Sequence, residues 1–345
     1  MSTRLRLGVG GVVLTALAAG YLSLGLPSFG QDRDVTRKLL ASFPQTSLVD
    51  VVGQNATQRT RGEFDWTTTK HLFVLSWRFD KSNYYATGIG NGDLHKANYT
   101  MDHHRLTDYL YGDYYGDEDL RMWNWAQAGA VVNKSIVMTH HPHWASYESQ
   151  VHDFNGLCLP MPGPPEVDWH SDNSLFIVQF GPNDVSRLHR QNVTMSGVGN
   201  ITGQLTDSMM ATSRQLQANG ASHFLFINLP PFGRFPRYYL PSGDLHDVRD
   251  LVSAATDAFN DHLKTKVPEF DAELKAAEVP GSAMLFDWNA LGEFMFAHTE
   301  AFGITDTQRF RATRQRRPIN DLGRLGFVFD DDLHSSSEVS SLAEG

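Results

Sequence analysis

The 345-residue sequence predicts an α/β fold, a three-layer α/β/α sandwich built around a mainly parallel sheet. Apolar runs of strand length lack polar alternation, which indicates strands that are buried on both faces. Segments with helical periodicity separate these runs, and this alternation is typical of parallel sheets covered by helices. A hydrophobic content of 41% is sufficient for the core of such a domain.

Five buried strands are expected, and the first is the HLFVL run that begins at His71. The other four are expected at Arg121–Ala126, Ser174–Phe180, Phe224–Leu229 and Ala283–Phe286. Helices are expected around Leu106–Leu110 and at Ser146–Phe154, Leu205–Gln217, His246–Val267 and Ala290–Phe296. Ligands of open α/β sheets bind at the carboxyl ends of the strands, so the residues that follow each strand are the first candidates for chemistry.

Residues 1–30 have the pattern of a secretory signal peptide or an uncleaved signal anchor. Arg4 and Arg6 precede an uncharged run from Leu7 to Leu26, and small residues suited to cleavage follow it. The run is also long enough to span a bilayer. Either outcome places the remaining chain outside the cytosol, and five N-x-S/T sequons agree with secretion: Asn55, Asn98, Asn133, Asn192 and Asn200. We expect residues 31–63 to form an irregular extension and residues 64–345 to form the folded domain.

Charge and cysteine content exclude several classes of function. The net charge is −10, and Lys and Arg are scattered apart from a short patch at Arg309–Arg317, which argues against a nucleic-acid partner. Cys158 stands alone and no motif places a base beside it, so we do not predict it as a nucleophile. The His140–His143 cluster suggests a metal, but Pro142 interrupts it and no acidic or thiol partner stands at ligand spacing. We therefore predict no metal and no cofactor.

Four residues carry groups that could act together in acyl transfer. Gly129 follows the second strand, Asn183 follows the third, and Asp331 and His334 lie near the C terminus. A backbone N–H and an amide can both donate to an oxyanion. The i, i+3 spacing of Asp331 and His334 lets the carboxylate orient the imidazole as a base. Each motif taken alone also fits an ordinary turn, so the order and spacing together carry the prediction.

The sequence resembles the SGNH, or GDSL, hydrolases, and in particular the fungal acetylesterase-like carbohydrate esterases, from about Phe64 to the C terminus. The similar stretches are FDW before HLFVL, NWAQAGA from Asn124, WHSDNSLFIVQFGPND from Trp169, FLFINLPP from Phe224 and DDLH from Asp331. The resemblance implies an SGNH-hydrolase, flavodoxin-like fold and deacetylation of carbohydrate or small esters by a Ser-His-Asp mechanism. It implies His334 as base, Asp331 as orienting acid, and Gly129 and Asn183 as oxyanion donors.

The first block of that family is altered in this sequence. The family has Gly-Asp-Ser directly after the first strand, whereas this chain has Ser76-Trp77-Arg78, with Arg78 at the position of the nucleophile. Ser76 is the nearest hydroxyl that could replace the lost nucleophile, and Ser82 lies farther along. Loss of a triad nucleophile costs about 10⁶-fold in turnover. A sequence error or an unusual splice boundary at this block would also explain why it differs from the family pattern.

Two functions therefore remain open. One is a secreted esterase that deacetylates carbohydrate with Ser76 or another hydroxyl as nucleophile. The other is a catalytically inactive family member that binds carbohydrate or an anionic ligand. In the second case Arg78 would hold a carboxylate and Trp77 would stack on a sugar ring. A membrane association is expected only if the N-terminal segment stays uncleaved.

Overall fold

The computed structural model describes residues 62–76, 121–127, 129–159, 168–243, 245–299, 304, 306–310 and 327–329. Within these residues five strands form one parallel sheet with the order β2-β1-β3-β4-β5. The strands are β1 (His71–Ser76), β2 (Arg121–Asn124), β3 (Ser174–Gln179), β4 (His223–Ile227) and β5 (Ser282–Phe286). All five predicted strands are present, which confirms the α/β class and the parallel sheet.

The strand order places β1 at the point where the winding of the sheet reverses. β1 pairs with β2 on one side and with β3 on the other, in a register that runs from His71 opposite Ser174 to Ser76 opposite Gln179. Connections leave in opposite directions on the two sides of this point, and the gap between them is where sheets with this order bind ligands. The carboxyl ends of β1, β2 and β3 are therefore the expected location of a site.

Six α-helices occur in the described residues, and they include four of the predicted ones. They are α1 (Tyr147–Cys158), α2 (Pro182–Val185), α3 (Val198–Ala218), α4 (Pro236–Tyr239), α5 (Arg249–Ala276) and α6 (Trp288–Ala297). The α5 helix extends beyond the predicted end at Val267 and contains Pro268. Its apolar face continues through the buried Phe270 and Leu274, and this burial offsets a proline cost of about 3 kcal/mol.

Both faces of the sheet are buried, which explains the unbroken apolar runs in the sequence. Alternate strand residues, among them Phe73 and Phe176, pack on one face against α1, α3 and α5, and these two rings stack at 4.7 Å. The intervening residues, such as Leu72 and Val74, pack on the other face, where Phe64, Trp66 and Trp288 lie.

A second, smaller sheet was not predicted from the sequence. It consists of β6 (Asp306–Phe310) and β7 (Phe327–Phe329), which pair in parallel. The DTQRF sequence of β6 is mostly polar, so it lacks the apolar run that marks the other strands. The predicted N-terminal signal segment, the extension up to residue 61 and the helix around Leu106–Leu110 lie outside the described residues. Across the part of the chain that is described, no helix combines the length and apolarity needed to cross a membrane.

Candidate active site

The carboxyl end of β1 is fixed by a side chain from helix α1. Gln150 accepts a hydrogen bond from the Ser76 N–H at 2.9 Å and donates one to the Ser76 carbonyl oxygen at 2.8 Å. The Gln127 N–H donates to the same carbonyl at 3.3 Å. Gln150 is itself fully buried, so both bonds are shielded from water. The last residue of β1 is thereby held in one backbone position relative to α1.

The Ser76 hydroxyl lies in the interior. Ser76 is 0% exposed, and its Oγ has no hydrogen-bond partner among the described residues. Gln179, opposite it on β3, is equally buried, and neither polar atom of its side chain has a described partner. In this conformation Oγ has no exposed surface from which to attack an ester. Ser76 therefore remains only a predicted nucleophile, and its burial argues against that role.

Gly129 follows β2 and has a backbone conformation that favours glycine. Its φ is +79°, in the left-handed region, and the residue is buried. A Cβ at this position would overlap the indole ring of Trp144. The Gly129 N–H donates to no acceptor among the described residues. Its role as an oxyanion donor stays a prediction.

Asn183 lies beside Gly129 although 54 positions separate them in the sequence (183 − 129). It follows β3 in the short helix α2, and its Nδ2 donates to the carbonyl oxygen of Ala130 at 2.9 Å. A primary amide has two N–H donors, and no described residue accepts from the second one. The fold thus brings the two predicted oxyanion donors together. The described residues do not include Arg78, Asp331 or His334, whose roles stay predictions.

Asp184 supports this loop from the interior, a role that the sequence analysis did not assign. It is fully buried, and its two carboxylate oxygens accept from the Val132 N–H at 3.0 and 3.3 Å. Burial raises the pKa of Asp184 to about 7, while the bond from Val132 and the charge of Arg187 act in the opposite direction. Burial is the larger effect because the side chain has no contact with water.

Arg187 joins Gly129 to Asn183, a role that the sequence did not indicate. Its guanidinium donates to the Gly129 carbonyl oxygen and to Asn183 Oδ1, each at 3.4 Å. Its Cζ lies 5.4 Å from the ring centroid of Trp144, in a cation–π contact. An arginine four residues after Asn183 is a weak sequence signal, because only the docking of the loop after β2 gives it these partners.

The histidine cluster and the cysteine occupy different settings. His140 and His141 are exposed, and a hydrogen bond of 2.9 Å joins His140 Nδ1 to His141 Nε2. No group of three or more metal-ligating side chains is found in the described ranges. Cys158 is buried at the end of α1, and burial raises the pKa of its thiol to about 12, which suppresses the reactive thiolate.

The parallel 2-1-3-4-5 sheet, with Gly129 and Asn183 adjacent beside its switch point, defines an α/β protein of the flavodoxin-like class. A family model described as GDSL-like lipase/acylhydrolase matches residues 47–343, and the chain belongs to this family. The chain is also similar to an acetylesterase from Thermothelomyces thermophilus, with 27% identity over 148 residues. That match covers 43% of this chain and 46% of the relative, which is about half of its length.

Proposed function

We propose that the protein is an extracellular ester hydrolase that removes acetyl groups from carbohydrate. The observation that supports this proposal is the proximity of Gly129 and Asn183 after the carboxyl ends of β2 and β3, where Asn183 bonds the Ala130 carbonyl and Arg187 contacts both residues. These strands flank β1, after which the family places its nucleophile. One oxyanion donor typically contributes about 10²–10³-fold to turnover. The name of the matched relative, an acetylesterase, supports the choice of acyl group.

The proposed reaction has two steps. A hydroxyl attacks the acetyl carbonyl carbon and passes its proton to His334, whose imidazole Asp331 orients. Gly129 and Asn183 stabilise the negative oxygen of the tetrahedral intermediate, which collapses and releases the sugar alcohol with the proton from His334. Water then attacks the acetyl-enzyme with His334 again as base, and acetate leaves as the hydroxyl is restored.

Secretion is part of this proposal. It rests on the signal-like segment at residues 1–30 and on the sequons. Asn192 and Asn200 are exposed on the folded domain, as glycan carriers must be. We propose a membrane association only for a form in which the N-terminal segment is retained.

A second candidate function is binding of carbohydrate or an anion without turnover. Arg78 occupies the family's nucleophile position in the sequence, and the hydroxyl of Ser76 is fully buried. A site without its nucleophile retains the donors that bind an acyl or carboxylate oxygen. This candidate predicts ligand binding that is lost in Arg78→Ala, with no turnover.

The experiment that separates the two candidates measures acetate release from p-nitrophenyl acetate and from acetylated xylo-oligosaccharides. The esterase proposal expects activity that falls about 10²-fold or more in Asn183→Ala and further in His334→Ala. Ser76→Ala removes an unpartnered hydroxyl and should fold normally, so a loss of activity in it identifies Ser76 as the nucleophile. Wild-type activity no higher than that of buffer would end the esterase proposal.

Restoring the family's first block tests the second candidate. The triple variant Ser76→Gly, Trp77→Asp, Arg78→Ser recreates Gly-Asp-Ser from the last residue of β1 onward. If the wild type binds ligand without turnover, this variant should gain acetylesterase activity through His334. Continued inactivity of a folded triple variant would show that more than the nucleophile has been lost.

A further inference from the structure

A shallow depression of about 160 Å³ lies beside the oxyanion residues and is rich in positive charge. Arg187, Arg190 and His140 contribute its basic groups, and the remaining lining residues are Met138, Thr139 and Gln191. Neither arginine has a carboxylate within ion-pair distance among the described residues. Arg187 interacts electrostatically with the buried Asp184 without an ion-pair contact, and Arg190 is exposed, so the depression keeps a positive charge that favours an anionic ligand.

The walls of the depression are held in place without a ligand. Gln191 Nε2 donates to the Ile136 carbonyl at 3.0 Å, and the Met138 N–H donates to Gln191 Oε1 at 3.3 Å. These bonds tie the Met138 wall to the 3₁₀ turn Leu188–Gln191, which carries Arg190. Thr139 Oγ1 donates to the His141 carbonyl at 2.7 Å and fixes the rim. Such preorganisation lowers the entropy cost of binding.

Arg187 connects the depression to the oxyanion residues. The same guanidinium that lines the depression contacts the Gly129 carbonyl and Asn183 Oδ1. A ligand that binds at Gly129 and Asn183 therefore lies near the positive charge of Arg187. Neighbouring charges also lower the pKa of the exposed His140: His141 has the largest effect, and Arg190 and Arg187 act in the same direction. A bound anion would relieve this repulsion.

We propose that this depression is an anion subsite that binds a carboxylate or phosphate group on the sugar part of the ester substrate. Arginine forms bidentate, charge-assisted hydrogen bonds with both groups. The assignment of the anion to the ester substrate rests on the proposed function, whereas binding of the anion itself does not. The substrate class is thereby narrowed to acidic saccharides, such as acetylated oligosaccharides that carry a uronic acid.

The test is a calorimetric titration of the purified full chain with glucuronate, glucose 6-phosphate and glucose at low salt. We expect at least one anion to bind about tenfold or more tightly than glucose, and the preferred anion identifies the source of the charge. Arg190→Gln should weaken that binding about tenfold. Lys70→Gln removes one positive charge from an exposed position before β1, at the other end of the sheet, and should leave the binding unchanged.

Equal binding of the sugar and its anions, or no binding of any of them, would overturn the subsite. So would unchanged anion affinity in Arg190→Gln, or equal weakening by Lys70→Gln, because either result indicates a diffuse charge effect. The titration needs no turnover, so an inactive protein that binds anions supports the subsite while refuting the esterase. An active esterase that binds neither anion refutes the subsite alone.

Discussion

Replacing Asp184 with asparagine removes a buried titratable group and keeps an oxygen that can accept from the Val132 N–H. In the folded protein the pKa of Asp184 is about 7, compared with about 3.9 in an unfolded chain. Each unit corresponds to 1.36 kcal/mol, so this difference is worth about 4 kcal/mol. Because folding raises the pKa of Asp184, its protonated form stabilises the folded state relative to its ionised form. This contribution to the free energy of unfolding is fully present below pH ~4 and is lost as the pH rises through about 7.

The assay is urea unfolding followed by tryptophan fluorescence between pH 4 and pH 8. The free energy of unfolding of Asp184→Asn should shift relative to wild type by about 4 kcal/mol in favour of the variant across this range. Other titrating groups cancel in the comparison. The control is Gly199→Ala, an exposed change on α3 that removes no titratable group, and its curve should run parallel to that of the wild type. A parallel curve for Asp184→Asn as well would refute the reasoning, since Asp184 would then ionise as if it were exposed to solvent.

Three further predictions concern individual contacts. Gly129→Ala places an alanine in the left-handed backbone region against the Trp144 ring and should lower the free energy of unfolding by about 2 kcal/mol or more, as measured by thermal unfolding. The control Gly199→Ala has no neighbouring atom to contact on α3 and should change that free energy by less than about 1 kcal/mol. Gln150→Leu leaves the buried Ser76 N–H unpaired and should cost about 2–4 kcal/mol in urea; a cost below about 1 kcal/mol would contradict the role of the clamp. Mass spectrometry of glycopeptides should find glycan on Asn192 and none on Asn133, whose Nδ2 already donates to Glu148 and Ser208; a glycan on Asn133 would mean that these bonds do not form.

The sheet was predictable because its chemistry is local. HLFVL and SLFIVQF are continuous apolar runs, and continuous runs arise where both faces of a strand are covered. Helix ends were less accurate, as α5 shows, because burial of Phe270 depends on tertiary packing that the periodicity before Pro268 does not reveal. The polar strand β6 has no such local pattern, and its pairing with β7 could not be predicted.

The site was predictable only in part. The proximity of Gly129 and Asn183 followed from topology, since both come after parallel strands whose carboxyl ends share one edge. The contacts of Gln150, Asp184 and Arg187 did not follow from the sequence. Gln150 bonds a residue 74 positions away, and a glutamine inside a helix has no sequence feature that distinguishes it from a solvated one. These side chains gain their roles only when the helices and loops dock.

The Gln150 clamp on the end of β1 also affects how this scaffold can be altered. Both of its hydrogen bonds go to backbone atoms of residue 76, so they do not depend on which side chain stands there. Residues that follow β1 in the sequence can therefore be exchanged while the end of β1 stays in place. Because Gln150 holds the backbone at the end of β1, a nucleophile could be introduced or removed just after this strand by local substitutions, without redesign of the surrounding domain.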